Sequence, residues 1–595
     1  MRAFFVLCLA ASLSRAQDGR ALFEKNCASC HQPGSETRAP LPSALKMLSK
    51  EQVLAALETG TMKAQGSALT AVERLALANY LANIPALDTG AQGVACPATS
   101  AKFSVSPGEA NWNGWSVDPA NSRFQTTKAS GLDREKVTRL KLKWAFAFAG
   151  QTVVNSQPTI AGGRLFFGGA DGTVYSLDAR TGCQYWTFKA PAMVRTAISV
   201  EPVGQGRYTL YFGDIKANVY ALDAQAGTLL WQTQVDTHPF ARVTGAPALY
   251  SGRLFVPVSS VEEVAPHNAK YACCTFRGSV VAIDTKTGKQ VWKSYAIPDP
   301  PTATRVSSSG TQLMGPAGAA IWSAPTLDLK RKAVYVATGN SYTDPADRHT
   351  DAIVAFDMET GGMLWSQQMT PGDGWNFSCI NPNKVSCPEN PGEDLDFGSS
   401  PILKNVGGRD LLIVGQKSGV VHALDPSQLG KIVWQTRVGR GGALGGVEWG
   451  SAADDENIYV ALSDHTSRKP EIGGGMFALR LATGEKVWNT PAPKPPCLGT
   501  PGCSAAQMAA VTVIPGVVFS GSMDGHLRAY ETSGGKIIWD YDTLRDYQAI
   551  NGVKAHGGSL NAAGPTVAGG MLYVNSGYGM LGGIPGNVLL AFTTE

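Results

Sequence analysis

One unit recurs along this chain and fixes what it can fold into: a run of alternating residues, an Asp, a tight turn, and a strand that ends in Trp. Gly172-Thr-Val-Tyr-Ser-Leu-Asp178-Ala-Arg-Thr-Gly182-Cys-Gln-Tyr-Trp186 is its clearest copy. Further copies span Ala217–Trp231, Gly278–Trp292, Asp351–Trp365, Gly419–Trp434, Gly475–Trp488 and Gly525–Trp539. Alternation turns one face of a strand inward, and the Asp and Thr-Gly positions make a hairpin turn. An eighth copy is split, with Asn587–Phe592 supplying an inner strand at the C-terminus and Leu140–Trp144 supplying the Trp strand at the start. Joining the chain ends in one blade closes a ring and removes sheet edges. Spacings of 42 to 73 residues between successive blade tryptophans favour a propeller over a solenoid. The expectation is an all-β, eight-bladed propeller over residues 108–595, its blade tryptophans serving as scaffold.

Ahead of the propeller the periodicity changes. Arg2, the apolar run Ala3–Leu13 and the small residues Ser14 and Ala16 read as a secretory signal peptide, residues 1–16, cleaved after Ala16. A membrane anchor is the alternative, but the run is shorter than the ~20 residues a spanning helix needs. Cys27-Ala-Ser-Cys30-His31 is the pattern of a c-type haem site, in which two thiols add to the porphyrin and the following His ligates iron. A redox dithiol or half of a zinc site would need other surroundings. Gly19–Lys25, Lys50–Glu58 and Ala71–Leu81 carry apolar residues at helical spacing, so residues 17–88 read as a small all-α cytochrome c domain. Met62, in a loop between two helices, is the expected sixth iron ligand; Met47, in an apolar stretch, is the alternative. Residues 89–107, rich in Gly, Pro and small side chains, read as a linker.

Charge and cysteine content narrow the partners. The net charge is +4 and falls further once Arg2 and Arg15 leave with the signal, which argues against nucleic acid. Of the 11 cysteines, Cys8 leaves with the signal and two serve the haem. The remaining even number fits an oxidising compartment, periplasmic or secreted. Proximity pairs Cys379 with Cys387, Cys497 with Cys503 and Cys273 with Cys274; elimination leaves Cys96 with Cys183. No later stretch is apolar enough for a transmembrane anchor.

The blade sequence Ala-Leu-Asp-x-x-x-Gly-x-x-x-Trp resembles the pyrroloquinoline quinone (PQQ) dehydrogenases, whose cofactor lies in the channel of an eight-bladed propeller. Propellers of bacterial envelope assembly share this repeat without a quinone, so site residues must decide. Ile321-Trp322 followed by Tyr335–Asn340 is similar to the family's Trp floor and calcium-ligating Asn. The resemblance implies that Trp322 stacks on PQQ and that Asn340 ligates calcium. Pro371-Gly-Asp373-Gly-Trp375-Asn376 resembles Pro-Gly-Asp-x-Trp-Asp, which makes Asp373 the catalytic base and a further calcium ligand; Asn376 departs from the pattern. Gln416-Lys417-Ser-Gly419 stands where the family sets a cation against the reactive quinone oxygens, so Lys417 takes that role. The run Val258–Glu263 implies Ser259 at the cofactor and Glu262 on calcium, with Glu263 as the adjacent alternative. Arg195 and Gln157 stand at positions of cofactor contacts. The adjacent Cys273 and Cys274 come about a blade later than the family's cysteine pair, and are assigned to capping PQQ from another loop.

A cytochrome ahead of the propeller, together with Ala272–Gly278 and Glu393–Pro401, is most similar to the polyvinyl alcohol dehydrogenase group of that family. The resemblance implies oxidation of secondary alcohols or polyols to ketones. It implies hydride transfer to PQQ, then one-electron transfer through haem c to a soluble cytochrome c or another acceptor. Two rivals stand beside it: a non-catalytic propeller scaffold carrying a cytochrome, and an electron-transfer subunit fed by another enzyme.

Overall fold

The computed structural model describes residues 18–32, 39, 42–45, 50–81, 94–97, 102–106, 108–466, 469–580 and 582–595. The signal peptide and Met47 lie outside the described residues. The expected helices form as Gly19–Asn26, Lys50–Glu58 and Ala71–Leu81. Asp18 caps the first by accepting from Arg20 N at 2.9 Å. Thr70 and Glu73 cap the last reciprocally, at 2.8 and 3.2 Å, because Thr-x-x-Glu satisfies two otherwise unpaired amides. Phe23, Val53, Leu57, Leu77 and Leu81 meet in the core of this domain.

The rest is the eight-bladed ring. Seven blades are consecutive four-stranded antiparallel units, from Thr159–Lys189 to Thr512–Asp542; the third carries an extra two-residue strand, Ala241–Arg242. The eighth pairs, from the axis outward, Thr566–Ala568, Met571–Ser576, Val588–Thr593 and Lys141–Ala147. The C-terminal strand is thus third from the axis rather than innermost, because the blade's first two strands lie between Thr566 and Ser576. Among the described residues no helix is long and apolar enough to cross a membrane.

Packing between blades explains the repeat. Seven of the eight blade tryptophans lie on the turn glycine of the next blade, Trp539 being the exception because the eighth blade joins the two chain ends without a turn: a Cβ on Gly227 would fall 2.5 Å from the Trp186 ring, and one on Gly484 2.5 Å from Trp434. In six of the eight the indole Nε1 donates to a carbonyl of the neighbouring blade, as from Trp231 to Thr285 O at 2.9 Å and from Trp488 to Thr532 O at 2.7 Å. The Gly of the turn and the terminal Trp are therefore two halves of one contact, made at seven of the eight blade boundaries.

Residues 111–125, before the first blade strand, close the axial channel. Trp112 pairs with Ile160, Asn113 with Val200, and Gln125 with Val513 and Val567. The carbonyls of Pro119, Ala120, Ser122 and Arg123 accept from Leu327, Leu403, Ala453 and Val513. This segment thus satisfies innermost-strand groups that a wide ring would otherwise leave open.

All four expected disulfides form. Cys96–Cys183, with Ala95 bridged to Gln184, fastens the linker to the outer strand of the first blade. Phe103 packs edge-on against Phe166 and Tyr208. The stretch that composition marks as a linker is thus stapled over its described part.

Candidate active site

Residues just ahead of the innermost strands surround a small cavity on the propeller axis. Arg195, Thr244, Trp322 and Trp449 reach it from four blades, and Trp115 of the plug closes one side. Trp322 and Trp449 meet edge to face at 5.1 Å, and the Arg195 guanidinium lies 4.3 Å from the Trp449 ring. Gly398 supplies the close approach: a Cβ there would sit 2.1 Å from the Trp322 ring. Trp115 is set by Arg123, which is wholly buried, stacks 4.6 Å from its ring and donates to its carbonyl at 2.6 Å. Burial without a carboxylate partner pushes Arg123 down to about 9. Gln157 lines the cavity as expected, but its amide is spent on Arg123 and Thr566.

On its other edge Trp322 meets a cluster of buried charge. Its Nε1 donates to Asp396 Oδ2 at 2.8 Å. Lys417, 1% exposed, pairs with Asp396 and with Asp394 Oδ2 at 3.4 Å, and its ammonium lies 5.5 Å from the Trp322 ring. Asp373 completes the group: its carboxylate accepts from Asp394 N at 3.1 Å and Leu395 N at 2.6 Å. Gly392 has to be glycine, since a Cβ would come within 1.9 Å of Asp373 Oδ1. Burial raises the proton affinity of Asp373 above the usual carboxylate range against the pull of these amides, and Asp396 adds to the rise. Asp351 is fully buried with, among the described residues, no hydrogen bond to either carboxylate oxygen, and burial first, then Asp373, Asp396 and Asp394, push it well above its ordinary value.

Backbone pairing brings Asn340 to this cluster. Ser341 N donates to Asp373 O at 3.1 Å and Trp375 N to Ser341 O at 2.8 Å, while Asn340 Nδ2 donates to Trp375 O at 2.9 Å. Its Oδ1 accepts no hydrogen bond among the described residues. Asn376, where the family pattern has Asp, donates Nδ2 to Tyr342 O and Ser386 O, both at 2.9 Å. An Asp could not make those bonds, so the departure is structural.

Two expectations need correction. Glu262 is buried, but its oxygens accept from Tyr271 Oη at 2.7 Å, Thr275 N at 2.9 Å and Phe276 N at 2.8 Å. Against its burial, His238 at 3.6 Å first, then Tyr271 and these amides, hold it below the usual carboxylate range. It fixes the loop that carries Cys273 and Cys274 instead of presenting a free carboxylate edge to calcium. Ser259 lies behind Thr244, whose hydroxyl it meets at 2.7 Å; Thr244 is the residue that reaches the cavity. Cys273 and Cys274 are bonded, buried with Phe276, Ala320 and Tyr342, and Trp322 packs against this group.

The site suits a planar quinone with acidic substituents. It offers an aromatic platform, an arginine, and the Ser323 Oγ and Trp449 Nε1 left without partners among the described residues. Among those residues no three His, Cys, Asp or Glu converge on one metal position, so protein carboxylates alone do not build a calcium site. Asn340 and Asp373 are the fitting donors. In the helical domain, Cys30 N and His31 N both bond to Cys27 O, at 3.1 and 3.0 Å, which gathers the attachment motif at the end of the first helix. Cys27, Ala28 and Met62 pack against one core, and His31 is 4% exposed. Burial and Cys30 push the Cys27 thiol up to about 11, opposite to a redox-active dithiol. These residues fit a haem c.

Asp351, Asp394, Asp396, Trp115 and Trp449 had no assigned role in the sequence reading. One signal pointed to the aromatics: of 13 tryptophans, eight end blades, and the other five are Trp112, Trp115, Trp322, Trp375 and Trp449. Three of those five line the cavity.

Known proteins resemble this chain in sequence and in fold. Residues 112–388 match the family "Glucose/ethanol/alcohol dehydrogenase, beta-propeller domain", and residues 14–81 match "Cytochrome C oxidase, cbb3-type, subunit III". Residues 349–582 also match "Outer membrane protein assembly factor BamB". The chain is 41% identical to the polyvinylalcohol dehydrogenase of a Pseudomonas species, over 97% of this chain and 94% of that protein. It is 39% identical to the polyvinylalcohol dehydrogenase of Sphingopyxis sp., over 97% and 93%. The crystal structure of quinohemoprotein alcohol dehydrogenase from Comamonas testosteroni superposes with a TM-score of 0.61 at 18% identity, covering 82% of this chain and 80% of that one.

Proposed function

The chain belongs to the polyvinylalcohol dehydrogenase family, and from that premise we propose that it oxidises secondary hydroxyls of polyol chains to ketones and sends the electrons through haem c to an external acceptor. It is a PQQ-dependent alcohol dehydrogenase with a cytochrome c module. PQQ supplies a two-electron hydride acceptor and haem c a one-electron exit. The observation that carries the reading is the joining of Trp322, Asp396, Lys417 and Asp373 into one buried unit.

Asp373 takes the substrate hydroxyl proton on its carboxylate. Burial raises its proton affinity above the usual carboxylate range, which suits a base, and the amides of Asp394 and Leu395 hold it in position. Lys417 stands beside the aromatic platform as the cation that would meet quinone oxygens, and Trp322 is the surface on which the quinone ring would stack. Asn340 and Asp373 are the residues that would hold calcium. The vicinal disulfide excludes water from the opposite side of Trp322. Cys27 and Cys30 would hold the haem, and His31 and Met62 are the residues that would ligate its iron. The acceptor is a soluble cytochrome c or an equivalent carrier. Four disulfides and the leader support a periplasmic or secreted location.

The test is to load the full-length protein with PQQ and calcium and follow the haem absorbance after adding polyvinyl alcohol, a small secondary diol, or a primary alcohol. Rapid haem reduction by the first two is expected. Reduction by the primary alcohol alone overturns the substrate assignment, and reduction by none overturns the electron path.

A further inference from the structure

Blade two sets Arg195 in the cavity wall, and blade three carries Arg242 two residues before Thr244, which lines the same cavity. Arg195 lines it and is held against Trp449. Arg242 stands on the short strand Ala241–Arg242, in register with Ser259. Its direction follows from alternation along an extended chain. Val243 is fully buried in the core, in contact range of Gly213, so Arg242 and Thr244 share the opposite face, and Thr244 lines the cavity.

Among the described residues no hydrogen bond or ion pair is made by the Arg242 guanidinium. Among the described residues its one side-chain-mediated hydrogen bond is at its carbonyl, which accepts from Ser259 Oγ at 3.4 Å. Burial and the charge of Arg195 push the guanidinium down to about 10, and Glu263 only partly offsets them. Two guanidinium groups that repel each other beside a mostly apolar cavity gain from an anion shared between them. A neutral polyol has no use for such a pair.

We infer that Arg195 and Arg242 form a two-blade clamp for carboxylate groups of PQQ, with Arg242 as a cofactor-binding residue additional to those the sequence motifs point to. The inference rests on the PQQ reading above. Planar guanidinium groups suit it because they bind carboxylates through two parallel hydrogen bonds, which orients a flat ring as well as holding it. With Trp449 fixing Arg195 and the Ser259 pairing fixing Arg242, the clamp is set before the cofactor arrives.

The test uses full-length, haem-loaded protein without quinone. PQQ is titrated in while tryptophan fluorescence is followed, and the Tm of the quinone-free protein is measured alongside. Arg242→Met should weaken PQQ binding about 10- to 100-fold, and Arg242→Lys should restore part of it. The quinone-free Tm of Arg242→Met should equal or exceed that of the unmodified chain, since a repulsion has been removed. PQQ trimethyl ester should bind both proteins equally. Unchanged PQQ affinity in Arg242→Met overturns the clamp. A lower quinone-free Tm with the ester weakened as much as PQQ makes Arg242 structural and also overturns it. A raised KM for a carboxylated alcohol with unaltered PQQ affinity assigns the arginine to substrate and does the same. If the unmodified chain binds no PQQ, the reading beneath the clamp fails, a result distinct from failure of the clamp alone.

Discussion

The indole Nε1 of Trp322 donates to Asp396 Oδ2 at 2.8 Å, so the aromatic platform is tied directly to the buried charges beside it. Asp396 also pairs with Lys417, whose ammonium lies 5.5 Å from the same ring. A flat apolar surface and a cation are thereby held at a fixed mutual position, which is what recognition of a ring with polar oxygens demands.

Replacing Asp396 with Leu removes the acceptor for Trp322 and one partner of Lys417. Breaking a buried pair in this way should cost about 3 kcal/mol. Denaturant unfolding of the quinone-free protein measures the cost, and PQQ binding should be lost with it. Unaltered stability would mean that Lys417 is neutralised by Asp394 alone.

Asp351 makes a pH-dependent prediction. Its folded proton affinity lies well above the unfolded value, because burial and three neighbouring carboxylates disfavour the charge. The folded state therefore binds more protons than the unfolded one between those two values, and stability falls as pH rises through that window. Asp351→Asn removes the effect. The variant should match the unmodified chain below the ordinary carboxylate range and become progressively more stable than it toward neutral pH. Urea unfolding at a series of pH values reads the divergence; parallel curves would show that Asp351 ionises normally.

The contact between Gly227 and Trp186 can be separated from backbone strain. Gly227 has φ +72° with the Trp186 ring 2.5 Å from its absent Cβ, whereas Gly204 in the same blade has φ +87° and open space. Gly204→Ala should cost about 1 kcal/mol through backbone strain. Gly227→Ala should cost about 3 kcal/mol, because the ring must also move. Equal losses in thermal unfolding would remove blade docking as the reason for the repeated glycine.

Met62 shares a core with Cys27 and Ala28. Met62→Ala should leave haem covalently attached, as judged by denaturing electrophoresis with haem staining, and should lower its reduction potential in a redox titration, since a thioether ligand raises it. An unchanged potential would pass the sixth position to another residue.

Much of this protein is local in its sequence. The turn and terminal Trp of each blade lie within about fifteen residues, and alternation in Val-Tyr-Ala-Leu fixes a strand face without distant information. The haem motif occupies five consecutive residues, Cys27 to His31. Three of the four disulfides join near neighbours, and the fourth follows once they are paired. Asp373, Lys417 and Trp322 could be singled out by their motifs, although no motif shows what faces them.

The sequence by itself determined the number of blades, the closing of the ring by the two chain ends, and the place of the haem, because each depends on spacing along one short stretch. Only the tertiary structure decided which buried charges meet. Glu262 reads as a metal ligand until the amides of Thr275 and Phe276 are seen on its oxygens. Asp351 reads as the first residue of a strand until it is found beside three other carboxylates with, among the described residues, no hydrogen bond to its own carboxylate. The physical reason is the ring: it brings ends of strands from different blades to one axis, and the free energy of a buried charge depends on what stands opposite it rather than on its neighbours in the chain.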